Sequence, residues 1–296
     1  MLARLQRWWH GADAGAAARR ARQRRDGAAR TPTPGAATRS AQWPAVRVQL
    51  VQAVWGRGFA GPGGADRAVD LVKGCGLTKA DTVLDIGPGA GGGPLAITTR
   101  FRNYVVGHVG NPALAAQATR LAESYGVTDR LEYDATDFET LTVKSGLYRT
   151  VLVRDVLHRV ANKERLLGQA AAALRDEDGE MILAGLICDG DMSSPAIAEW
   201  VAAERSAVRP WTLPGLRSCL ASLSLTLRTE EDETAWYRCR VQQAWRNYRD
   251  EVADRDLPAE AREILLGEAN IWARRLAAID AGLLGYRRLL AVRRGD

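Results

Sequence analysis

A chain of 296 residues that is 46% hydrophobic holds enough apolar material for one large domain, or for a domain with an appendage. Its net charge of +6 sits at one end: nine arginines against Asp13 and Asp26 give residues 1–44 a balance of +7, leaving −1 for residues 45–296. That split excludes a basic nucleic-acid-binding body, and four cysteines without a CxxC pair exclude a disulfide framework or a zinc knuckle.

Residues 1–44 are rich in Ala, Arg, Thr and Pro, too poor in apolar surface to offset their ordering entropy, and are expected to form a disordered basic tail. Leu2, Leu5, Trp8 and Trp9 beside arginines suggest a weak contact with a membrane surface; a plain solvated tail is the simpler reading. The segment lacks the apolar core of a secretory signal, and no run in the chain reaches the length of a membrane span. The expected location is the cytoplasm, with peripheral attachment at the inner membrane surface as the tail's own contribution. Only four lysines occur, at 73, 79, 144 and 163, an arginine bias of the kind GC-rich bacterial genomes produce.

From Val46 an amphipathic segment runs to Val54, followed by a loop, Trp55 to Gly64, that holds five glycines and two aromatic residues. Aromatic residues among glycines suggest a loop folded over something rather than a bare linker. A short helix over 65–74 then leads to Thr82-Val-Leu-Asp-Ile-Gly-Pro-Gly-Ala-Gly-Gly-Gly93. Val83, Leu84 and Ile86 read as a buried parallel strand that ends abruptly in glycine. The glycines free the backbone to turn and to approach a ligand, and the N–H groups of a following helix would face it. Gly87-x-Gly89-x-x-Gly92 fits a dinucleotide fingerprint, Asp85-x-Gly87-x-Gly89-x-Gly91 fits a second cofactor motif, and a purely structural turn is the bland alternative.

Further strands are expected over 104–109, 131–133, 150–153 and 181–187, with helices over 112–125 and 163–174 between them. This alternation predicts a doubly wound, mostly parallel α/β sheet, whose ligands sit at the carboxyl ends of the strands. The last hundred residues read differently: a helix over 213–220, a strand over 223–228, long helices over 236–252 and 259–279, and a final strand over 287–292. The body, 45–296, is thus one domain with a helical insertion at about 236–282 before the last strand.

This order, with Asp85-x-Gly-x-Gly-x-Gly, resembles the Rossmann-like class I S-adenosylmethionine-dependent methyltransferases. Trp55-Gly-x-Gly-Phe with Pro-Gly-Gly64, Arg154-Asp155 with Lys163, and Trp272 with Gly282 extend the likeness to phosphoethanolamine N-methyltransferases over roughly residues 50–294. The resemblance implies S-adenosylmethionine as cofactor and a small-molecule substrate. It also implies that Asp85 and the backbone at Gly87, Gly89 and Gly91 hold the methionine end, with Gly63 and Gly64 closing over it. Asp134 and the Ala135 amide would take the adenine edge, and Arg154 the carboxylate side. Trp55, Arg209, Trp211 and Arg275 are the substrate candidates, and Asp155 with His158 the catalytic ones.

Several positions depart from that pattern. Val109 stands where the family carries an acid for the ribose hydroxyls, leaving Asn111 as the substitute. Val51 replaces a tyrosine, and His158 lies one place before the family's histidine position, which is Arg159 here. One residue turns a helical side chain by about 100°, so His158 is equally read as a buried structural histidine, and Arg275 as part of a solvated helix face. The anionic or polar substrate that arginine would favour is therefore set beside a non-catalytic binding or scaffold role.

Overall fold

The computed structural model describes residues 42–176, 178–252 and 256–293. Nearly all of the basic tail lies outside these residues. Helix α1 (Ala45–Trp55), α2 (Gly64–Val72) and a 3-10 turn lead into β1 (Thr82–Ile86), which is followed by α3 (Gly92–Phe101), β2 (Tyr104–Val109), α4 (Pro112–Tyr125) and β3 (Leu131–Ala135). The chain then recrosses to β4 (Thr150–Arg154), α5 (Lys163–Ala173) and β5 (Glu180–Cys188). It ends with α6 (Pro195–Ala203), α7 (Leu213–Ser222), β6 (Leu225–Asp232), α8 (Thr234–Val252), α9 (Ala259–Asp280) and β7 (Leu284–Arg293).

The seven strands lie in the order β3-β2-β1-β4-β5-β7-β6. The first five are parallel, while β7 runs antiparallel to both β5 and β6. Alternation along the strands divides the core. Val83, Val105, Leu152 and Ile182 face one apolar layer with α1 and Trp272 of α9, whereas Leu84, Ile86, Val151 and Val153 face the other with Leu166 and Leu167 of α5. Strands buried on both faces read as continuous apolar runs, which is why β1 and β4 stand out in the sequence.

Between β1 and β4 the chain reverses its direction of travel across the sheet, and such a switch point opens a crevice at the strand ends. The helical insertion expected before the last strand is α8 and α9. The structure adds α6, which packs on α9; its short, largely apolar sequence PAIAEWVAA carries no clear 3.6-residue period. Among the described residues no helix is long and apolar enough to cross a membrane.

Close packing at the start of α3 depends on glycine. Gly91 has φ +95°, and a Cβ there would sit 2.8 Å from the Cα of Ala118 in α4. Gly126, which caps the other end of α4 at φ +67°, has nothing within 4 Å of the same position. Gly91→Ala should therefore destabilise the fold by about 2–3 kcal/mol, against about 1 kcal/mol for Gly126→Ala, where only backbone strain acts. Urea unfolding of the two variants measures the difference; equal losses would refute the packing argument.

Candidate functional site

One cavity of about 370 Å³ runs from the carboxyl ends of β1, β2 and β4 to the underside of α8 and α9. Gly87, Pro88 and Gly89 floor one end, with Phe59 to Pro62 above them. The loop after Trp55 is held there by Gln52, whose Oε1 accepts from Gly58 N at 2.8 Å, and by Gly92 N, which donates to Gly58 O at 2.8 Å. Gly87 must be glycine: at φ +97° a Cβ would strike the Arg154 carbonyl. Val109, Gly110 and Asn111 form the adjoining wall, and the ring of Phe138 lies against Gly110, where a Cβ would approach it to 2.6 Å.

Asp85 does not face this space. It is fully buried, and both its oxygens accept from Arg154, one from Nε at 3.1 Å and one from Nη2. Burial pushes the Asp85 carboxyl up while the guanidinium pulls it down. The register of β1 and β4 aligns Asp85 with Leu152, two residues before Arg154, so the two strand ends meet through these side chains. Arg154 itself borders the cavity. The acid expected at the ligand is bonded instead to an arginine that lines the cavity.

Other expected residues stand behind the wall. Gly91 is the N-cap of α3 and packs on Ala118. Gly63 caps α2 and packs on Arg67, and with Gly64 it lies outside the lining, which Gly61 and Pro62 supply instead. Asp134 and Ala135 are also outside it, because β3 stays paired with β2 through Val109 and Ala135, and Thr136 N still donates to Val109 O. The chain next reaches the cavity at Asp137, Phe138 and Glu139. Trp55 is a core residue whose ring packs at a tilt against Trp272, 4.5 Å between centroids, and it is Trp272 that lines the cavity. Arg209 is exposed and Trp211 packs over Gly215 and Lys163, both away from the cavity.

The cap end holds the remaining candidates. Asp155 follows β4 in a left-handed conformation, φ +53°, an unusual place for a side chain and one that Asp tolerates better than most. Its N–H is fixed by Ala184 O at 2.9 Å, and Tyr286 Oη donates to its Oδ2 at 3.4 Å. Burial among protein groups raises its carboxyl, against the pull of Arg275 and Arg154. His158 sits in a 3-10 turn, Leu157–Arg159, and lines the cavity. It does not present a base there: Nε2 accepts from Arg159 Nε at 3.0 Å, and Nδ1 is buried without a partner. Burial holds the imidazole well below its ordinary pKa, so the ring is neutral.

Arg275 is no solvated side chain. It is 6% exposed, donates to Tyr237 Oη at 3.2 Å and to Glu204, and lies 4.4 Å over the Trp272 ring. Glu204, Arg47 and Glu268 went unread in the sequence although they line the same end. Glu204 binds Arg159 at 3.2 Å as well as Arg275, and Arg47 Nε donates to Glu268 Oε1 at 2.7 Å. Gln42 and Trp43, counted with the tail by composition, also line the cavity, with the Arg47 guanidinium 3.8 Å over the Trp43 ring. Among the described residues no group of three His, Cys, Asp or Glu is placed to hold a metal ion.

Residues 84–183 match the methyltransferase-domain family. Phosphoethanolamine N-methyltransferase 2 of Caenorhabditis elegans is 30% identical over 124 residues, 41% of this chain and 28% of that protein. Phosphoethanolamine N-methyltransferase 1 of Zea mays is 25% identical over 125 residues, 42% and 25% of the two. The chain thus aligns with little more than a quarter of those relatives' length. Haemonchus contortus phosphoethanolamine N-methyltransferase 2, solved with phosphomonomethylethanolamine and S-adenosylhomocysteine, superposes with a TM-score of 0.75 at 16% identity, covering 89% of this chain and 61% of that one. Strand order and superposition give the chain the Rossmann-like fold of the class I methyltransferases, and residues 84–183 carry the match to a methyltransferase domain. Over that stretch the chain is similar, at low identity, to the phosphoethanolamine N-methyltransferases.

The two arginines beside Glu204 hold its carboxyl down to about 2. Because the folded value lies below the unfolded one of about 4.3, the ion pairs stabilise the protein above that pH, and the contribution fades as pH falls towards 2. Glu204→Gln should cost about 3 kcal/mol at pH 7, since the buried Arg275 guanidinium and the more exposed Arg159 lose their partner, and much less near pH 2.5. Urea titrations at both pH values test this; a loss independent of pH would show that the ion pairs are not its source.

Proposed function

We propose that the protein transfers a methyl group from S-adenosylmethionine to the amine or hydroxyl of a small polar molecule held under α8 and α9. The observation that carries this reading is the continuity of one cavity from the Gly87–Gly89 turn to Asp155. Its volume of about 370 Å³ lies within the range of small-molecule sites, ~300–1,000 Å³. The residues fit such a cofactor at the glycine turn and along Phe138, which offers a flat apolar platform beside Asp137. Gly87 and Gly89, with Ala60 to Pro62 above them and Arg154 at the side, would hold its amino-acid end. When bound, S-adenosylmethionine supplies an electrophilic methyl group.

Displacement at a sulfonium asks mainly for alignment and a desolvated, deprotonated nucleophile. Asp155 serves both needs: it orients the attacking group and accepts its proton, and the crowding of protein groups around it raises its carboxyl above the ordinary Asp value, which makes it a stronger base. Activity should accordingly fall on the acid side of a pH profile at values above the ordinary Asp range of about 3.9.

One observation favours a second reading, a cofactor-binding protein without turnover. At the end of β2, where the family holds an acid, Val109 offers no acceptor, and Asn111 Oδ1 caps α4 by accepting from Ala113 N at 2.9 Å. Calorimetry with S-adenosylmethionine and S-adenosylhomocysteine tests both. Wild-type protein should bind; Gly89→Val should bind at least about a hundredfold more weakly, by filling the turn. Val109→Asp should bind about ten- to hundredfold more tightly, the value of a charge-assisted hydrogen bond. Loss of transfer in Asp155→Asn with cofactor affinity kept would support catalysis at that carboxylate. Unaltered cofactor binding in Gly89→Val would remove the site from this cavity.

A further inference from the structure

The charges of the cap end are arranged in an unequal way. Every guanidinium that lines the cavity already ends on a carboxylate of the protein: Arg275 and Arg159 on Glu204, Arg47 on Glu268, and Arg154 on Asp85. Their other edges are engaged too, Arg275 with Tyr237 Oη at 3.2 Å and Arg159 with Ser206 Oγ and His158 Nε2, each at 3.0 Å. Arg275 Nε is buried and out of a ligand's reach. The paired edge of a guanidinium is what grips a phosphate or carboxylate, and at the cap end Arg275 and Arg159 turn theirs on Glu204 and Arg47 on Glu268, while Arg154 lies at the glycine-turn end. An anion would have to displace Glu204 or Glu268 and leave it buried and unpaired, which costs more than the new contact returns.

Asp155 is the opposite case. It lies on the cavity surface and forms no ion pair, and its one side-chain hydrogen bond is the long contact from Tyr286 Oη at 3.4 Å. Tyr237 and Trp272 line the same end, and aromatic ring faces suit a cation as a neighbour. Building on the methyltransferase reading, we propose that the substrate admitted beside Asp155 is a cationic amine that carries no phosphate or carboxylate group of its own. Glu204 and Glu268 are then specificity residues. By occupying the arginines they close the cavity to phosphorylated amines, and Asp155 supplies the charge that the admitted ammonium neutralises.

The experiment is calorimetry on the full-length protein, with and without S-adenosylhomocysteine, using four probes: ethanolamine, N-methylethanolamine and the O-phosphorylated form of each. The unphosphorylated amines should bind at least tenfold more tightly than their phosphorylated counterparts, and Asp155→Asn should weaken them tenfold or more. Asparagine tolerates the left-handed backbone at this position, so an unchanged melting temperature is expected and is measured alongside. Glu204→Gln should reverse the preference by freeing Arg159 and Arg275. Glu268→Gln, which frees Arg47 at the edge of the cavity, repeats the test should the first variant fail to fold. Tighter binding of the phosphorylated forms by wild-type protein, no binding of either free amine, or indifference of amine binding to Asp155→Asn would each overturn the proposal. The cofactor titration is judged separately. Amine preference without S-adenosylhomocysteine binding would fell only the methyltransferase reading; cofactor binding with preference for the phosphorylated forms would fell only this one.

Discussion

The pair formed by Asp85 and Arg154 holds the switch point together. Asp85 closes β1 and Arg154 closes β4, so their bond ties the two strand ends between which the cavity opens. Both groups are deeply placed, and taking either charge out of water is costly unless the partner is present. The glycine turn is shaped around this pair: a Cβ on Gly93 would run into the Arg154 guanidinium, and one on Gly87 into the Arg154 carbonyl. What reads in sequence as a run of ligand-binding glycines is therefore partly a run of glycines that make room for an arginine. The same pair directs the arginine's flank to the cavity and carries the backbone on to Asp155 in its left-handed conformation.

At the far end of the cavity the cap is held by a second set of charges. Glu204, just after α6, receives Arg275 from α9, Arg159 from the 3-10 turn and the indole N–H of Trp200 at 2.9 Å. Glu268 of α9 receives Arg47 of α1. These bonds join the inserted helices to elements that surround the parallel sheet, and the tilted rings of Trp55 and Trp272, with the stacked rings of Tyr237 and Tyr286 at 4.4 Å, fill the space between. His158 contributes its ring to the wall and its nitrogen to Arg159, which is why its one-residue offset from the family position does not remove it from the site.

How much of this the sequence disclosed follows from the range of the interactions. Strands buried on both faces, helix caps such as Asn111 before Pro112, and glycine turns are local signals, and they placed the sheet and the strand-end loops. Contacts across long separations were invisible. Nothing in the sequence around Glu204 or Glu268 hints that they meet Arg275 and Arg47, 71 and 221 residues away. Asp134, Trp55 and Trp211 are expected only through the resemblance. The structure keeps β3 paired with β2 as far as Ala135, so the cavity lining resumes at Asp137, while Trp55 and Trp211 pack against their own body.

The place of the cap in the chain has a consequence for how such a protein diversifies. Up to Asp155 the lining comes from the strand-end loops, from Gln42, Trp43 and Arg47, from the loop at Phe59 to Pro62 and from Leu114 of α4; beyond Cys188 come Glu204, Tyr237, Glu268, Trp272 and Arg275. The methyltransferase-domain match, 84–183, ends before that second portion begins. Recombination near residue 188 would exchange one recognition half for another while leaving the glycine turn and its buried arginine intact. The glycine turn and most of the cap are thereby carried by separate stretches of chain, and kinship measured over the first portion carries no information about the second.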